Sequence, residues 1–303
     1  MPLPTSSSTG SGDLARPRFG GLGAPALVLG AAISVQAGSS IAKSLFDSLG
    51  PAGAVLVRLV FGTLVLLAVA PPRRRRWTAR ELRLTATLGL TLGCLNLTFY
   101  EAIARAPLGV VVTIEFVGPL AVAVVGSRSR TDLLWVAIAG IGVALLADGD
   151  GGAISAAGLA LALTAGALWA VYILVGGRVS RALPGSTPLI PAMAVATVLV
   201  LPLGLVHARS HLTDVRLMAT GAAVGLLSSA IPWSLELEAM RRVPSRVFGV
   251  IVSLSPAVAA LAGLVLLGEH LSGRSWAAVA LVTVASAAAA RSHSTAVDPP
   301  GAL

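Results

Sequence analysis

Ten apolar stretches, each about the length a helix needs to cross a bilayer, follow one another along this chain and leave little room for any other architecture. They fall at 25–43, 51–70, 82–104, 107–126, 132–148, 156–176, 187–206, 217–237, 245–268 and 273–290. A spanning helix takes about 17–25 residues, and in hydrocarbon the backbone must satisfy its own polar groups, so each stretch reads as a helix. Composition agrees. Of 303 residues 55% are hydrophobic and 12% are charged, which is about half the charge of an ordinary soluble domain, and the mean hydropathy is +0.87. The expected fold class is an all-α membrane protein with ten transmembrane helices.

The net charge of +9 does not point to nucleic acid, because the arginines sit in short loops between apolar runs rather than along one face. With a cytoplasmic N-terminus, the inward segments hold sixteen of the 22 basic residues, among them the PPRRRRW loop at 71–77, and the outward segments hold five. The asymmetry sets both termini inside, and the arginine loop reads as a topology anchor lying on anionic headgroups. Residues 1–24, rich in Ser, Gly and Pro, read as a disordered cytoplasmic tail, and 291–303 as a second tail. The apolar run after Arg18 continues to about Phe46 without a small-residue cleavage site, unlike a signal peptide. Cys94 is the one cysteine, so thiolate metal clusters and intrachain disulfides drop out.

The chain also repeats itself. A shift of 137 residues lays Glu101–Pro119 on Glu238–Pro256 with 7 of 19 positions identical, so the stretches divide into halves of five at 25–148 and 156–290. An odd number of helices per half inverts the second half in the bilayer, the arrangement of many secondary transporters, whose sites lie near the midplane between halves. Pro119 and Pro256 fall at corresponding places inside spans, where each removes a backbone donor and loosens its helix. Gly89/Gly93 and Gly221/Gly225 have the spacing of close helix contacts.

Four polar residues share one level. Counted from the expected outer ends of the first four spans, Gln36 and Arg58 lie seven residues inside, and Asn96 and Glu115 eight, or about 10–12 Å at the helical rise. An uncompensated charge at that depth costs about 2.5 kcal/mol or more on insertion scales. Arg58 and Glu115 are therefore expected either to neutralise each other or to form a site. A zwitterionic amino acid needs an anion for its ammonium and a cation for its carboxylate, and these two supply both.

Other residues read as structural. Trp169, Tyr172 and Trp233 lie on the inner halves of spans six and eight, where aromatics usually anchor helices and can also wall a path. Glu101 and Glu238 stand four residues before Arg105 and Arg242, the spacing of surface ion pairs. Glu269 closes the ninth stretch beside the outer surface, where hydration is cheap. His207 and His211 lack a third ligand nearby, which argues against zinc. No GxxxxGK[ST] phosphate loop is present, and no cluster of His, Asp or Ser suits a headgroup enzyme. The chain reads as a secondary carrier rather than an enzyme, with no cofactor and no metal.

The segments VVTIEFVGPLAVAVVGSRSRTDLLWV (111–136), SLSPAVAALAGLVLLGEHLS (253–272) and VQAGSSIAKSLF (35–46) resemble the EamA-type drug/metabolite transporters. The EFVGPLAVA and AKSLF runs are most similar to the bacterial threonine/homoserine exporter branch. The resemblance spans roughly 25–290 and implies two EamA repeats in an inner-membrane carrier that exports small amino acids or related metabolites against protons. Carriers of nucleotide sugars, lipid-linked intermediates or drugs share the fold and remain the alternative substrate classes. The binding residues are then expected to be Gln36, Arg58, Asn96 and Glu115, with Glu115 exchanging the proton and Pro119 and Pro256 breaking helices beside it. The partners implied are an amino-acid-like solute, protons and membrane lipids, with a homodimer as the alternative to a monomer.

The topology is open to test. In a Cys94→Ser background, Thr78→Cys should resist an impermeant thiol reagent in intact cells and Gly151→Cys should react; the reverse pattern would discard the orientation.

Overall fold

The fold follows from where the chain lets a helix run and where it stops one. In the computed structural model, residues 23–69, 75–125, 130–147, 154–183, 188–232, 235, 239 and 245–292 are described, and every regular element among them is helical. The expectations for the two tails, the first arginines of the 71–77 loop, Asp148, Asp150, Trp233, Glu238 and Arg242 fall outside these residues, as does the side chain of His207. The helices are α1 (Ala24–Lys43), α2 (Phe46–Val69), α3 (Ala79–Ile103), α4 (Leu108–Glu115), α5 (Val117–Val125), α6 (Arg130–Ala147), α7 (Ala156–Ala182), α8 (Leu189–Ala208) and α9 (Val215–Gly225). A π turn over Leu226–Ala230 continues α9, and α10 (Ser245–Val252), α11 (Ser255–Leu267) and α12 (Gly273–Ser292) complete the set.

All ten stretches lie on this helical framework. Seven helices are long and apolar enough to cross a membrane, and the stretches at 107–126, 132–148 and 217–237 hold shorter apolar helices. Large apolar side chains such as Leu64, Val198, Val206 and Val265 are exposed, as a lipid-facing surface requires and a water-facing one would not tolerate in such number.

Local chemistry sets the ends. Pro25 stands in the first turn of α1 and Lys43 in its last, where a fixed φ and a cation suit the helix. Thr78 and Glu81 form a capping box on α3: Glu81 N donates to Thr78 Oγ1 at 3.2 Å and Thr78 N to Glu81 Oε2 at 2.9 Å. Gly50 takes φ 66° and splits a first turn from the main run of α2, which begins at Pro51 as the sequence suggests. Only glycine enters that conformation without strain.

The fourth and ninth stretches are not continuous, contrary to the simplest reading of their apolar runs. One breaks at Phe116 and the other at Ser253 and Leu254, in each case two to three residues before Pro119 and Pro256. A proline cannot donate to the carbonyl four residues earlier, and its ring crowds that carbonyl. The carbonyls left over are those of Glu115 and Val252. Glu115 O rests instead against Gly166 of α7, where a Cβ would sit 2.8 Å away.

Packing is close where side chains are small. α3 lies against α7 and α8, α2 against α8 and α9, α4 against α7 and α11, α6 against α12, and α1 against α11 and the π turn. A Cβ on Gly93 would stand 2.8 Å from Leu199, and one on Gly225 would stand 2.9 Å from Gly62 N and from Phe61 Cβ. The glycine spacings thus place helix backbones in near contact, as small residues do in bilayers.

Gly225→Leu should lower stability by about 1–3 kcal/mol through overpacking, read as a lower thermal midpoint in detergent. Gly140, where an added Cβ would meet nothing within 4 Å, should accept alanine without loss.

Candidate functional site

Polar side chains buried in an apolar bundle must find partners or stay available for a ligand, and the four residues at the expected level divide on that criterion. Arg58, on α2, is held from two directions. Its Nη1 donates to Tyr100 Oη of α3 at 3.2 Å and its Nη2 to Ser228 O in the π turn at 3.1 Å. The guanidinium carbon lies 5.5 Å from the centre of the Tyr100 ring, within cation–π range. Its Nε is buried and has no hydrogen-bond partner.

The acceptor at Ser228 exists because of the backbone. A π turn is a local irregularity, frequent at functional sites, that departs from the i to i−4 pattern, and here it presents a carbonyl to a cation in mid-span. The turn is clamped from the other side by α1: Ser34 Oγ donates to Leu227 O at 2.7 Å, and Gly38 lets Ser228 come against the α1 backbone. Between these two clamp residues stands Gln36, which is 5% exposed and whose Oε1 has no partner.

Glu115 is the last residue of α4, 7% exposed, at the edge of the break. No ion pair joins it to Arg58; among the described residues the ion pairs are Lys43–Glu269, Arg75–Glu81 and Arg105–Glu101. Of the two alternatives the sequence leaves open, direct neutralisation is therefore absent. Arg58 spends two donors on neutral acceptors, and the opposite charges stand apart. Asn96 is buried and donates through Nδ2 to Leu92 O of its own helix at 2.8 Å. No hydrogen bond joins Gln36, Arg58, Asn96 and Glu115 to one another.

Sequence reasoning does not single out Tyr100 or Ser228. Tyr100 lies four residues after Asn96 on the same helix face, a spacing that offers a signal; Ser228 acts through its carbonyl, which no side-chain pattern marks. Trp169 has an aromatic partner. Its ring meets Phe116 edge-on at 5.0 Å and 88°, so it packs on the break beside Glu115. Glu101 and Arg105 form the ion pair their spacing suggests. Glu269 has protein partners that its position in the sequence does not suggest: its carboxylate meets Lys43 Nζ at 2.5 Å and accepts from Leu108 N at 2.8 Å.

Residues 156–290 match the EamA-like transporter family. The threonine/homoserine exporter RhtA of Salmonella typhimurium LT2 is 42% identical over 266 residues, covering 86% of this chain and 90% of that protein. RhtA of Escherichia coli K12 is 41% identical over 263 residues, covering 86% and 88%. The uncharacterized transporter YwfM of Bacillus subtilis 168 is 26% identical over 241 residues, covering 74% and 78%. A solved crystal structure shares the fold with a TM-score of 0.56 at 21% identity, covering 88% of this chain and 96% of that one.

Proposed function

Because the chain belongs to the EamA-like transporter family, in the branch of the threonine/homoserine exporter, we propose that it is a secondary carrier exporting small amino acids such as threonine and homoserine, by exchange with protons, across the inner membrane. The observation that carries the reading is the separation of Arg58 from Glu115. A half-buried guanidinium and a buried carboxyl group that do not pair with each other match the two ends of a zwitterion. Arg58, with Nε unused, takes the carboxylate, for which its planar fork is suited. Glu115 takes the ammonium, and Gln36 and Asn96 line the same level.

The two-repeat reading is supported by packing. Exchanging the halves carries α2 onto α8, α6 onto α12 and the broken span of α4 and α5 onto that of α10 and α11, and each of these pairs of spans is in contact, the broken pair through α4 and α11; α3 against α7 is answered by α9 against α1. The breaks at Phe116 and at Ser253 and Leu254 correspond under the same shift of 137. Ten spans in two inverted halves, with a site between them, follow the design in which discontinuous helices flank the substrate. The rocking of the halves then exposes Glu115 to each side in turn, visited by a proton in one state and by the substrate ammonium in the other. Both termini inside completes the picture, on the arginine asymmetry.

Purified protein in vesicles with an imposed pH gradient tests this. Arg58→Lys should lower threonine or homoserine transport by about tenfold or more, a loss of about 1.4 kcal/mol, while the protein stays folded, and Arg58→Ala should abolish it; unchanged affinity and rate in the lysine variant would remove the guanidinium from the site.

Glu115→Gln keeps size and hydrogen bonding without the charge. It should end proton-driven accumulation and leave a residual exchange that no longer varies with pH. Accumulation that persists in this variant would leave Glu115 outside the mechanism.

A further inference from the structure

A second polar cluster closes one end of the helices that carry the site. Lys43, the last residue of α1, stands seven residues beyond Gln36, and Leu108, the first residue of α4, stands seven before Glu115. Glu269, two residues past α11, reaches both: Oε1 lies 2.5 Å from Lys43 Nζ and Oε2 accepts from Leu108 N at 2.8 Å. Lys43 Nζ also lies 3.5 Å from Ala106 O, in the turn leading into α4.

The backbone is built to put the carboxylate there. Gly268 ends α11 in the left-handed region at φ 65°, and Glu269 N bonds back to Gly263 O at 3.0 Å. The side chain folds over its own helix end onto Gly263, where a Cβ would stand 3.4 Å from Glu269 Cδ. The lysine and glutamate side chains are 22% and 14% exposed, so removing either partner strands a largely shielded charge. Removing the carboxylate also strands the first N–H of α4.

We propose that Lys43 and Glu269 form a clasp that draws α1, α4 and α11 together over the site and must release for a solute to pass on that side. The inference rests on the transport reading above, and the arginine asymmetry makes that side the outer one. Glu269 positions the helix whose last residue is Glu115, and Lys43 does the same for the helix of Gln36, so one ion pair governs access to both. A passive helix cap would share the hydrogen bond to Leu108 and leave access unchanged.

Ser39 offers the reporter. It is fully buried at 0% exposure, between Gln36 and Lys43 on α1, and serine to cysteine is a small change. In a Ser39→Cys, Cys94→Ser background, an impermeant thiol reagent is applied to vesicles of each orientation, with Lys43→Ala or Glu269→Gln added. The alanine variant keeps the cap on Leu108, and the glutamine variant keeps an amide oxygen for it, so thermal midpoints in detergent should confirm folding in at least one. Both should raise the labelling rate from the Lys43 side by about fivefold or more, the lower end of ordinary coupling energies, and leave or lower it from the other side. Labelling unchanged by either folded variant, or raised equally from both sides, would overturn the clasp. Threonine and homoserine transport by the unmodified protein is measured in parallel: transport with unaltered labelling discards the clasp alone, whereas side-specific labelling without transport keeps the clasp and discards the substrate assignment.

Discussion

A guanidinium cannot shed its charge inside a membrane, and the centre of this molecule is arranged around that constraint at Arg58. The bundle answers with neutral oxygens, the Tyr100 hydroxyl and the Ser228 carbonyl, and with the face of an aromatic ring. Each answer makes a demand on another element. Tyr100 is fully buried and fixed between Phe46 and Phe99, so α3 must lie close to α2. The Ser228 carbonyl faces the cation only because the span departs from the α pattern at Leu226–Ala230, and that departure is held by Ser34 and Gly38 of α1. Three helices are thereby tied to one side chain.

The consequence for the second charge is that Glu115 is left out of the arrangement. An arginine already satisfied in part by neutral acceptors does not need a carboxylate, and a buried carboxylate without a partner is costly unless something else occupies its position for part of a cycle. The proposed transport cycle gives that cost a use. The prolines at 119 and 256 fit the same account, since discontinuous helices beside a site expose backbone groups where a cavity is lined.

The helical membrane fold was legible because its signal is additive over many residues: span lengths and overall hydropathy survive small errors at any one position. The burial of Glu115 was legible for a related reason, that a carboxyl group flanked on both sides by long apolar runs is carried into the bundle with them. Legibility failed where the deciding group is the backbone. The breaks fall at Phe116 and at Ser253 and Leu254, neither of them a helix breaker, because the damage from a proline is done to the carbonyl before it. The partners of Glu269 were not legible for a different reason. The left-handed Gly268 turns its side chain back toward Lys43 and Leu108, a three-body contact that no spacing within one helix encodes.

The π turn has a geometric result beyond its free carbonyl. A turn that holds one residue more than an α turn rotates everything after it by about 100° relative to an unbroken helix, the angle of one residue at 3.6 per turn. The stripe of α9 that meets α2, with Gly221 and Gly225 against Val57 and Gly62, is consequently out of phase with the stripe further on, where Leu235 and Ala239 pack with Leu27, Val28 and Gly30 of α1. A helical wheel drawn through the whole span superimposes two different seams and blurs both. Two wheels, joined at the π turn, separate them, and the span then acts as a connector between neighbours that a straight helix of the same sequence would face at other angles.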